Sequence, residues 1–336
     1  MFIAEDLDQF KQVFVAKLKD MLSDDELGAF ILVLANSRQD AFLKSELDVG
    51  LNNTFAALKD KFSAGELIAA ADDVDVFEQL LELDLEDIPV WQYNGIGHWE
   101  IVYNPIRQMR PARVSNQVLS SIKQPYDENR FHFNKPFLKP ETLWQGEYRG
   151  VNSRVLFNKF PFSEYHLLIV LSPGKNRSQL LTQESHQYVF SLVEEMGNAF
   201  PGFGVGYNSL AAGASVNHFH FQGFIREKDF SIEKDLWMHN GGTSEYPLAV
   251  KRFSDADHSW RYLQQLTGQD RAFNCLYRNG YCYVVPRKYQ GKVELPDWLN
   301  GAGWIDVAGT ITVPDVQTFN NTDGCSVAGA LALLRL

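Results

Sequence analysis

The chain has 336 residues, of which 45% are hydrophobic and 22% charged, a composition typical of a soluble globular protein with one large or two modest domains. A formal net charge of −11 argues against nucleic acid as the main partner, and no apolar run reaches the ~18 residues of a membrane span. The three cysteines include no Cys-x-x-Cys pair, which argues against a disulfide framework or structural zinc site and fits a reducing cytoplasm.

Charge is distributed unevenly along the chain. Residues 1–100 hold 7 Lys and Arg against 21 Asp and Glu, whereas residues 101–180 hold 12 against 5. The basic segment is where we expect contacts to a small anionic ligand. A solvated surface is the alternative for any single one of these side chains.

Helical periodicity dominates residues 1–90, which are predicted to form a helical region without a chemical motif. Ser23 with Glu26, and Ser63 with Glu66, have the spacing of capping boxes at helix starts. Near residue 91, aromatic, proline and β-branched residues replace the acidic helices. We therefore predict a main domain over residues 91–336 and expect its fold not to need the helical region.

The main domain alternates between strands and a helix. Strands are predicted over 154–160, 165–171, 204–207, 215–225, 273–277, 281–285 and 310–313, with an amphipathic helix over 182–198. A strand pair, a helix and a second strand pair describe an α+β domain with an antiparallel sheet.

The predicted strand 215–225 carries the motif His-x-His-x-Gln. Because side chains alternate along a strand, His218, His220 and Gln222 share one face, and the two phenylalanines between them point into a core. Burying two imidazoles and an amide without partners would be costly, so packing alone does not explain this row.

Three interpretations of the row compete. It could be a polar face exposed to water, although the flanking aromatic residues disfavour this. It could bind zinc through two histidines, although no third ligand is evident nearby. The favoured interpretation is nucleophilic catalysis by one imidazole at phosphorus.

The motif resembles the active-site signature of the transferase branch of the histidine-triad superfamily. That branch includes galactose-1-phosphate uridylyltransferase and the dinucleoside polyphosphate phosphorylases. Segments similar to the GDP-L-galactose and GDP-D-glucose phosphorylases are 124–127, 130–135, 161–173, 206–210 and 217–222. Segments similar to the second half of the diadenosine tetraphosphate phosphorylases are 273–274, 284–287 and 301–313. The glycine that the family has between the residues corresponding to Tyr165 and His166 is absent.

The resemblance implies a histidine-triad-like fold. We expect an antiparallel sheet with packed helices in a pseudo-duplicated unit, with the motif part over 110–230 and the second half over 270–336. It further implies that no redox cofactor or catalytic metal is needed.

The resemblance also implies roles for the three motif residues. His220 would attack the α-phosphorus, while a backbone carbonyl near His218 holds the proton on its other ring nitrogen. Gln222 stands where hydrolase relatives have a third histidine, and it would donate an N–H to a phosphoryl oxygen. The implied enzyme is a nucleotidyltransferase: an NDP-sugar of the GDP-hexose type gives sugar 1-phosphate and a nucleotidyl-histidine, which phosphate then converts to NDP.

A second group of residues is expected to bind the substrate. The resemblance places Asn208, Ser215 and Asn217 near the phosphates or ribose. Gly213 lies in a loop whose backbone N–H groups could bind phosphate. The remaining candidates are Lys159, Lys135, Asp127 and Arg130.

Two other functions stay open. One is phosphorolysis of dinucleoside polyphosphates, and the other is nucleotide sensing by a protein that kept the fold and lost turnover. Expected partners are a nucleotide-sugar or dinucleotide and inorganic phosphate, without nucleic acid or a membrane. A homodimer is a further open alternative.

Overall fold

The computed structural model describes residues 2–109, 119–299, 301–313 and 315–336. Residue 110, the predicted start of the motif part, lies outside the described residues. The helices are α1 (Leu7–Asp20), α2 (Leu27–Ser37), α3 (Ala41–Ser63), α4 (Ala71–Leu81), α5 (Gln183–Ala199), α6 (Ala256–Gly268), α7 (Trp304–Val307), α8 (Val316–Asn321) and α9 (Gly324–Leu333). The strands are β1 (Gln92–Ile96), β2 (Trp99–Tyr103), β3 (Thr142–Tyr148), β4 (Val151–Phe157), β5 (Leu167–Leu171), β6 (Phe203–Asn208), β7 (Phe221–Ile225), β8 (Lys251–Phe253), β9 (Ala272–Arg278), β10 (Tyr281–Arg287) and β11 (Thr310–Val313).

Local capping signals were only partly informative. Thr182 caps α5 through a capping box with Ser185, which agrees with the helix predicted to start there. Ser63, in contrast, is the last residue of α3, and the following helix begins at Ala71. The Ser63 start signal was therefore wrong, because α3 extends to this residue. The Ser23 signal was wrong as well, since α2 begins at Leu27 and Glu26 precedes it without a side-chain cap.

The architecture is a large antiparallel sheet with packed helices. Eight strands are ordered β3-β4-β5-β7-β6-β9-β10-β8, and a smaller sheet has the order β1-β2-β11. The predicted α+β class with an antiparallel sheet is confirmed. The order helix, strand, strand occurs as α5-β6-β7 and again as α6-β9-β10, and β6 pairs with β9 between the two units. This repetition is consistent with the predicted pseudo-duplication.

The two faces of the eight-stranded sheet carry different cores. One face packs against α1–α6, and Phe219 and Phe221 lie in that core, as the alternation predicted. The opposite face, here the histidine face, carries His218, His220 and Gln222. It packs against α7 with its flanking residues and against the segment 131–138.

The four N-terminal helices α1–α4, here the helical layer, share their apolar core with the sheet. The ring of Phe14 lies 4.9 Å from that of Phe157 in β4, and Phe10 packs 5.6 Å from Phe200 beyond α5. Residues of all four helices belong to the same buried cluster as β4–β7. The layer therefore closes one face of the sheet, which favours a structural dependence between the two regions.

Tyr165 connects the helical layer to the strand end beside His166. It has φ of +49°, a left-handed conformation that favours glycine, at the point of the motif where the family glycine is absent. Its ring packs 5.1 Å from Phe14, and its N–H donates to Gln39 Oε1 at 2.6 Å. These contacts with the helical layer offset the strain at Tyr165.

Within the described residues, no helix is both long enough and apolar enough to cross a membrane.

Candidate active site

The two motif histidines lie just before a strand rather than within it. β7 begins at Phe221, so the strand predicted over 215–225 is shorter at its start. The backbone at His220 is bonded by the side chain of Gln179 instead of a neighbouring strand. His220 N–H donates to Gln179 Oε1 at 2.8 Å, and Gln179 Nε2 donates to His220 O at 3.0 Å. One buried amide thus replaces two ladder hydrogen bonds and fixes the histidine in extended geometry.

Hydrogen bonding and burial define the protonation state of His220. Its Nδ1 lies 2.8 Å from His218 O, a carbonyl that can only accept, so Nδ1 carries the proton and Nε2 holds the free lone pair. This is the backbone contact that the family resemblance implied. Burial lowers the pKa of His220 to about 4, since the charged form loses solvation. The imidazole is therefore neutral at physiological pH.

His218 has both ring nitrogens occupied. Nδ1 accepts from Phe133 N–H at 3.1 Å, and the ring also bonds the carbonyl of Pro173. Its pKa falls to about 4, first because of burial and then because a charged His218 would be repelled by protonated His220 or His132 and by Arg154. With no free lone pair, His218 is placed to hold the segments around it, and the zinc-chelating interpretation loses its second ligand.

Gln222 faces Trp304 across the histidine face. Trp304 Nε1 donates to Gln222 Oε1 at 2.6 Å, and both side chains are buried. Because an indole nitrogen is only a donor, the bond identifies the amide oxygen and directs Nε2 the other way. Gln222 Nε2 has no protein partner in the described part of the chain.

Asn208 sits beside His220 in the next strand. The register Gly206↔Gln222 between β6 and β7 brings Asn208 opposite His220. Its Oδ1 accepts from Trp304 N–H at 2.7 Å and from Asn274 Nδ2 at 2.6 Å. Its Nδ2 has no partner among the described residues.

The other candidates between β6 and β7 differ in their surroundings. Both ends of the Asn217 amide are bonded within the protein: Oδ1 accepts from Gln179 N–H, and Nδ2 donates to Pro125 O at 2.7 Å. Ser215 is exposed. Gly213 has φ of +94°, and a Cβ there would lie 2.9 Å from Gly303 Cα, so it allows two loops to approach closely.

Three charged candidates lie on the segment that crosses the histidine face. Phe133 places its ring 4.8 Å from that of His220, and Lys135 follows it with Nζ bonded to Glu128 O at 3.2 Å. Asp127 and Arg130 are exposed and lie 3.5 Å apart at the start of the same segment.

Lys159 is not brought to this group. It is bonded to Asp73 of α4 at 2.6 Å, which ties it to the helical layer. By the sheet register it lies five residues beyond Arg154, whose partner Val170 is next to the pairing of Ile169 with Phe221. Lys159 itself lies two residues past the end of β4 at Phe157, outside the paired strands. The basic segment is therefore divided between the site and the helix contact.

Sequence reasoning missed three residues that shape the site. Gln179, in a loop, and Trp304, at the start of α7, are remote from the motif in sequence and reach it through side-chain hydrogen bonds. Arg154 lies on the histidine face, where Nη1 donates to Phe133 O at 3.0 Å. The sequence could have indicated Arg154, because it lies in a strand whose other face is apolar. No local pattern indicated Gln179 or Trp304.

A cavity of about 430 Å³ lies elsewhere, between α1, the β1–β2 hairpin and the far end of β7. Its central charged groups are paired with one another: Arg226 bonds Glu100 at 2.5 Å and Glu164 at 2.8 Å. None of the motif residues His218, His220 and Gln222 lines this cavity, so the candidate active site is separate from it. Among the described residues, no three His, Cys, Asp or Glu side chains are grouped to hold a metal ion.

Stability should decrease steeply in mild acid. Burial lowers the pKa of His186, His218 and His220 to about 4, whereas an unfolded histidine titrates near 6.5. The unfolded chain thus binds more protons, and stability present above pH 6.5 is lost as pH falls from 6.5 towards 4. Each histidine contributes about 1.4 kcal/mol per pH unit within that window.

Urea unfolding at several pH values measures this slope. His186 is outside the site, where it bonds Tyr277 Oη and Ser259 Oγ, each at 2.8 Å. His186→Gln should reduce the slope by about one proton. A free energy of unfolding that is constant between pH 6.5 and 5 would contradict the prediction.

Comparison with known proteins places this geometry in a fold class. The yeast Ap4A phosphorylase Apa2 in complex with Ap4A aligns over 80% of this chain and 100% of its own, with a TM-score of 0.52 and 15% identity. The same enzyme without ligand gives a TM-score of 0.51. The chain thus has the histidine-triad-like α+β fold.

Sequence comparison is more specific over part of the chain. Residues 80–224 match the family model described as GDPGP1-like, N-terminal domain. GDP-D-glucose phosphorylase 1 of Danio rerio is 35% identical over 123 residues, covering 36% of this chain and 35% of that protein. The Homo sapiens protein of that name is 30% identical over 136 residues, which cover 38% of this chain and 33% of that protein. GDP-L-galactose phosphorylase 2 of Arabidopsis thaliana is 29% identical over 135 residues, which cover 34% of this chain and 31% of that protein.

These similarities confirm the resemblance to the GDP-hexose phosphorylases within the histidine-triad-like fold. The chain spans about a third of the length of the curated relatives it matches.

Proposed function

We propose that the protein is a nucleotidyltransferase that phosphorolyses an NDP-sugar, with a GDP-hexose as the first choice of substrate. The observation that carries the proposal is the buried neutral His220, whose Nδ1 is held by His218 O at 2.8 Å. That bond leaves Nε2 free for attack at phosphorus. Similarity to GDP-D-glucose and GDP-L-galactose phosphorylases supports the choice of a GDP-hexose.

The reaction has two displacements at the α-phosphorus. Nε2 of His220 forms an N–P bond as the bond to the bridging oxygen breaks, and the sugar 1-phosphate leaves with the electron pair. An oxygen of inorganic phosphate then attacks the same phosphorus, releasing NDP and restoring the neutral imidazole. The proton stays on Nδ1, and the His218 carbonyl that accepts it stabilises the positive charge of the intermediate.

Gln222 favours this reaction over hydrolysis. Its amide can donate to a phosphoryl oxygen but cannot protonate a leaving group. A sugar 1-phosphate needs no proton to leave, because the second pKa of a phosphate monoester is near 6. Gln222 therefore suits a phosphate leaving group and a phosphate acceptor.

Substrate contacts are proposed from Asn208 beside His220 and from polar side chains on the segment that contacts its ring. Asn208 Nδ2 lies one strand away, and Lys135 is carried by the segment whose Phe133 touches the His220 ring. Asp127 and Arg130 lie at the rim, and Ser215 is accessible. Asn217 and Gly213 would act by shaping the loops rather than by direct contact. The free cysteines support the cytoplasm as the proposed location.

A substrate panel tests the proposal. The protein is incubated with inorganic phosphate and GDP-, ADP- and UDP-hexoses, or with diadenosine tetraphosphate, and nucleotide products are resolved by chromatography. We expect phosphate-dependent release of GDP and hexose 1-phosphate from a GDP-hexose, absent with His220→Ala. Turnover of the dinucleotide alone would favour a dinucleoside polyphosphate phosphorylase, and binding without turnover would favour a nucleotide sensor.

A further inference from the structure

The orientation of the Gln222 amide depends on one residue from the C-terminal half of the chain. Trp304 Nε1 is the partner of Gln222 Oε1, at 2.6 Å. An amide without this bond could turn over at little cost, since its oxygen and nitrogen have the same shape. Turned over, it would present oxygen lone pairs to the negatively charged phosphoryl group.

Trp304 is itself held rigidly. Its indole is fully buried and stacks on the ring of Phe224 with centroids 4.8 Å apart. It lies directly over Gly206, where a Cβ would come within 2.2 Å of the indole. Its backbone N–H donates to Asn208 Oδ1 at 2.7 Å. The indole N–H is therefore a fixed donor aimed at Gln222.

The segment before Trp304 is anchored as well. The fully buried Arg287 at the end of β10 donates to Ala302 O, and Gly303 N–H donates to Asp306 Oδ2 at 2.7 Å. The donor that orients Gln222 thus stands on a segment tied to β10 and α7. The active site is completed by residues about 80 positions away from the motif.

We propose that Trp304 is a positioning residue that keeps Gln222 Nε2 directed at the transferring phosphoryl group. The inference rests on the proposed function, because it assigns the amide a part in nucleotidyl transfer. Trp304 acts through Gln222 and does not touch the reacting atoms. Its effect therefore belongs to the rate of transfer and not to substrate affinity.

Trp304→Phe tests this by removing the N–H while keeping an aromatic ring on Phe224. Rapid-quench measurement of covalent nucleotidylation should show a rate about ten-fold lower, as expected for one lost buried hydrogen bond, with KM nearly unchanged. In a Gln222→Ala background the same change should have no further effect. Losses that multiply in the double variant would overturn the proposal.

Trp237→Phe is the matched control. Trp237 is buried in the same core cluster, and its Nε1 donates to Ser231 O at 2.5 Å, away from Gln222. It should lose comparable stability and keep the wild-type rate. Equal slowing in both variants would mean that the effect is only structural.

Two further outcomes keep the inference separate from the proposed function. If Trp304→Phe does not fold, Gln222→Glu takes its place: the carboxylate keeps the Trp304 bond but offers no donor. A Gln222→Glu protein as fast as the wild type would overturn the role of the oriented amide. A wild-type protein that forms no nucleotidyl-histidine with any nucleotide would instead overturn the proposed function.

Discussion

His220→Ala is expected to abolish both covalent nucleotidylation and turnover. No neighbouring group can replace Nε2, since His218 has both ring nitrogens occupied by Phe133 N–H and the Pro173 carbonyl. Loss of a nucleophile typically costs at least about 10⁴-fold in rate. Incubation with α-labelled nucleotide followed by intact-protein mass measures the adduct, which as a phosphoramidate survives mild base and is lost in acid.

Two variants calibrate this result. Gln222→Ala removes one donor to the phosphoryl group and should slow labelling about 10²–10³-fold without abolishing it. The labelling rate of His218→Ala should fall between those of His220→Ala and Gln222→Ala. The substitution removes the bond to Phe133 N–H and thereby loosens the backbone whose carbonyl orients His220. Label that maps to His218, or an active His220→Ala protein, would show that His220 is not the nucleophile.

A chain starting near residue 90 is expected to be insoluble or unfolded. Removing the helical layer exposes the apolar face formed by β4–β7, including Phe157. A single change tests the same dependence: Phe14→Ala should cost about 3–5 kcal/mol of unfolding free energy, as for other buried phenylalanines. Chemical denaturation of the full chain measures it.

Phe42→Ala is the control for this prediction. Phe42 lies in the same layer but is 47% exposed, so its removal should change stability by less than about 0.5 kcal/mol. A truncated chain that is soluble, folded and active would instead support two independent regions, as the change of composition near residue 91 suggested.

The sequence predicted features that depend on short-range periodicity. Alternation alone separated His218, His220 and Gln222 from the phenylalanines between them, and the structure puts the two sets on opposite faces. It also predicted the strand over Thr310–Val313 at its observed bounds. These features could be predicted because neighbouring residues on an extended chain determine them.

Features that depend on long-range side-chain bonds could not be predicted. Lys159 has the charge of a phosphate ligand and lies in the basic segment of the sequence, but it forms an ion pair with Asp73 of α4 instead. Gln179 belongs to the site through two side-chain hydrogen bonds to the backbone of His220, and Trp304 through one to Gln222. No local pattern marks such bonds, since they exist only once the chain has folded.

The helical layer and the histidine face lie on opposite sides of one sheet. This separation affects how the protein can evolve. Substitutions on the histidine face, in the segment 131–138 and around Trp304, are separated by the sheet from those in α1–α4. Because distant changes add nearly independently, a stabilising change in the layer can offset the cost of a new substrate contact without altering it. Stability gained in the helical layer thus allows substitutions that change substrate preference to accumulate on the histidine face.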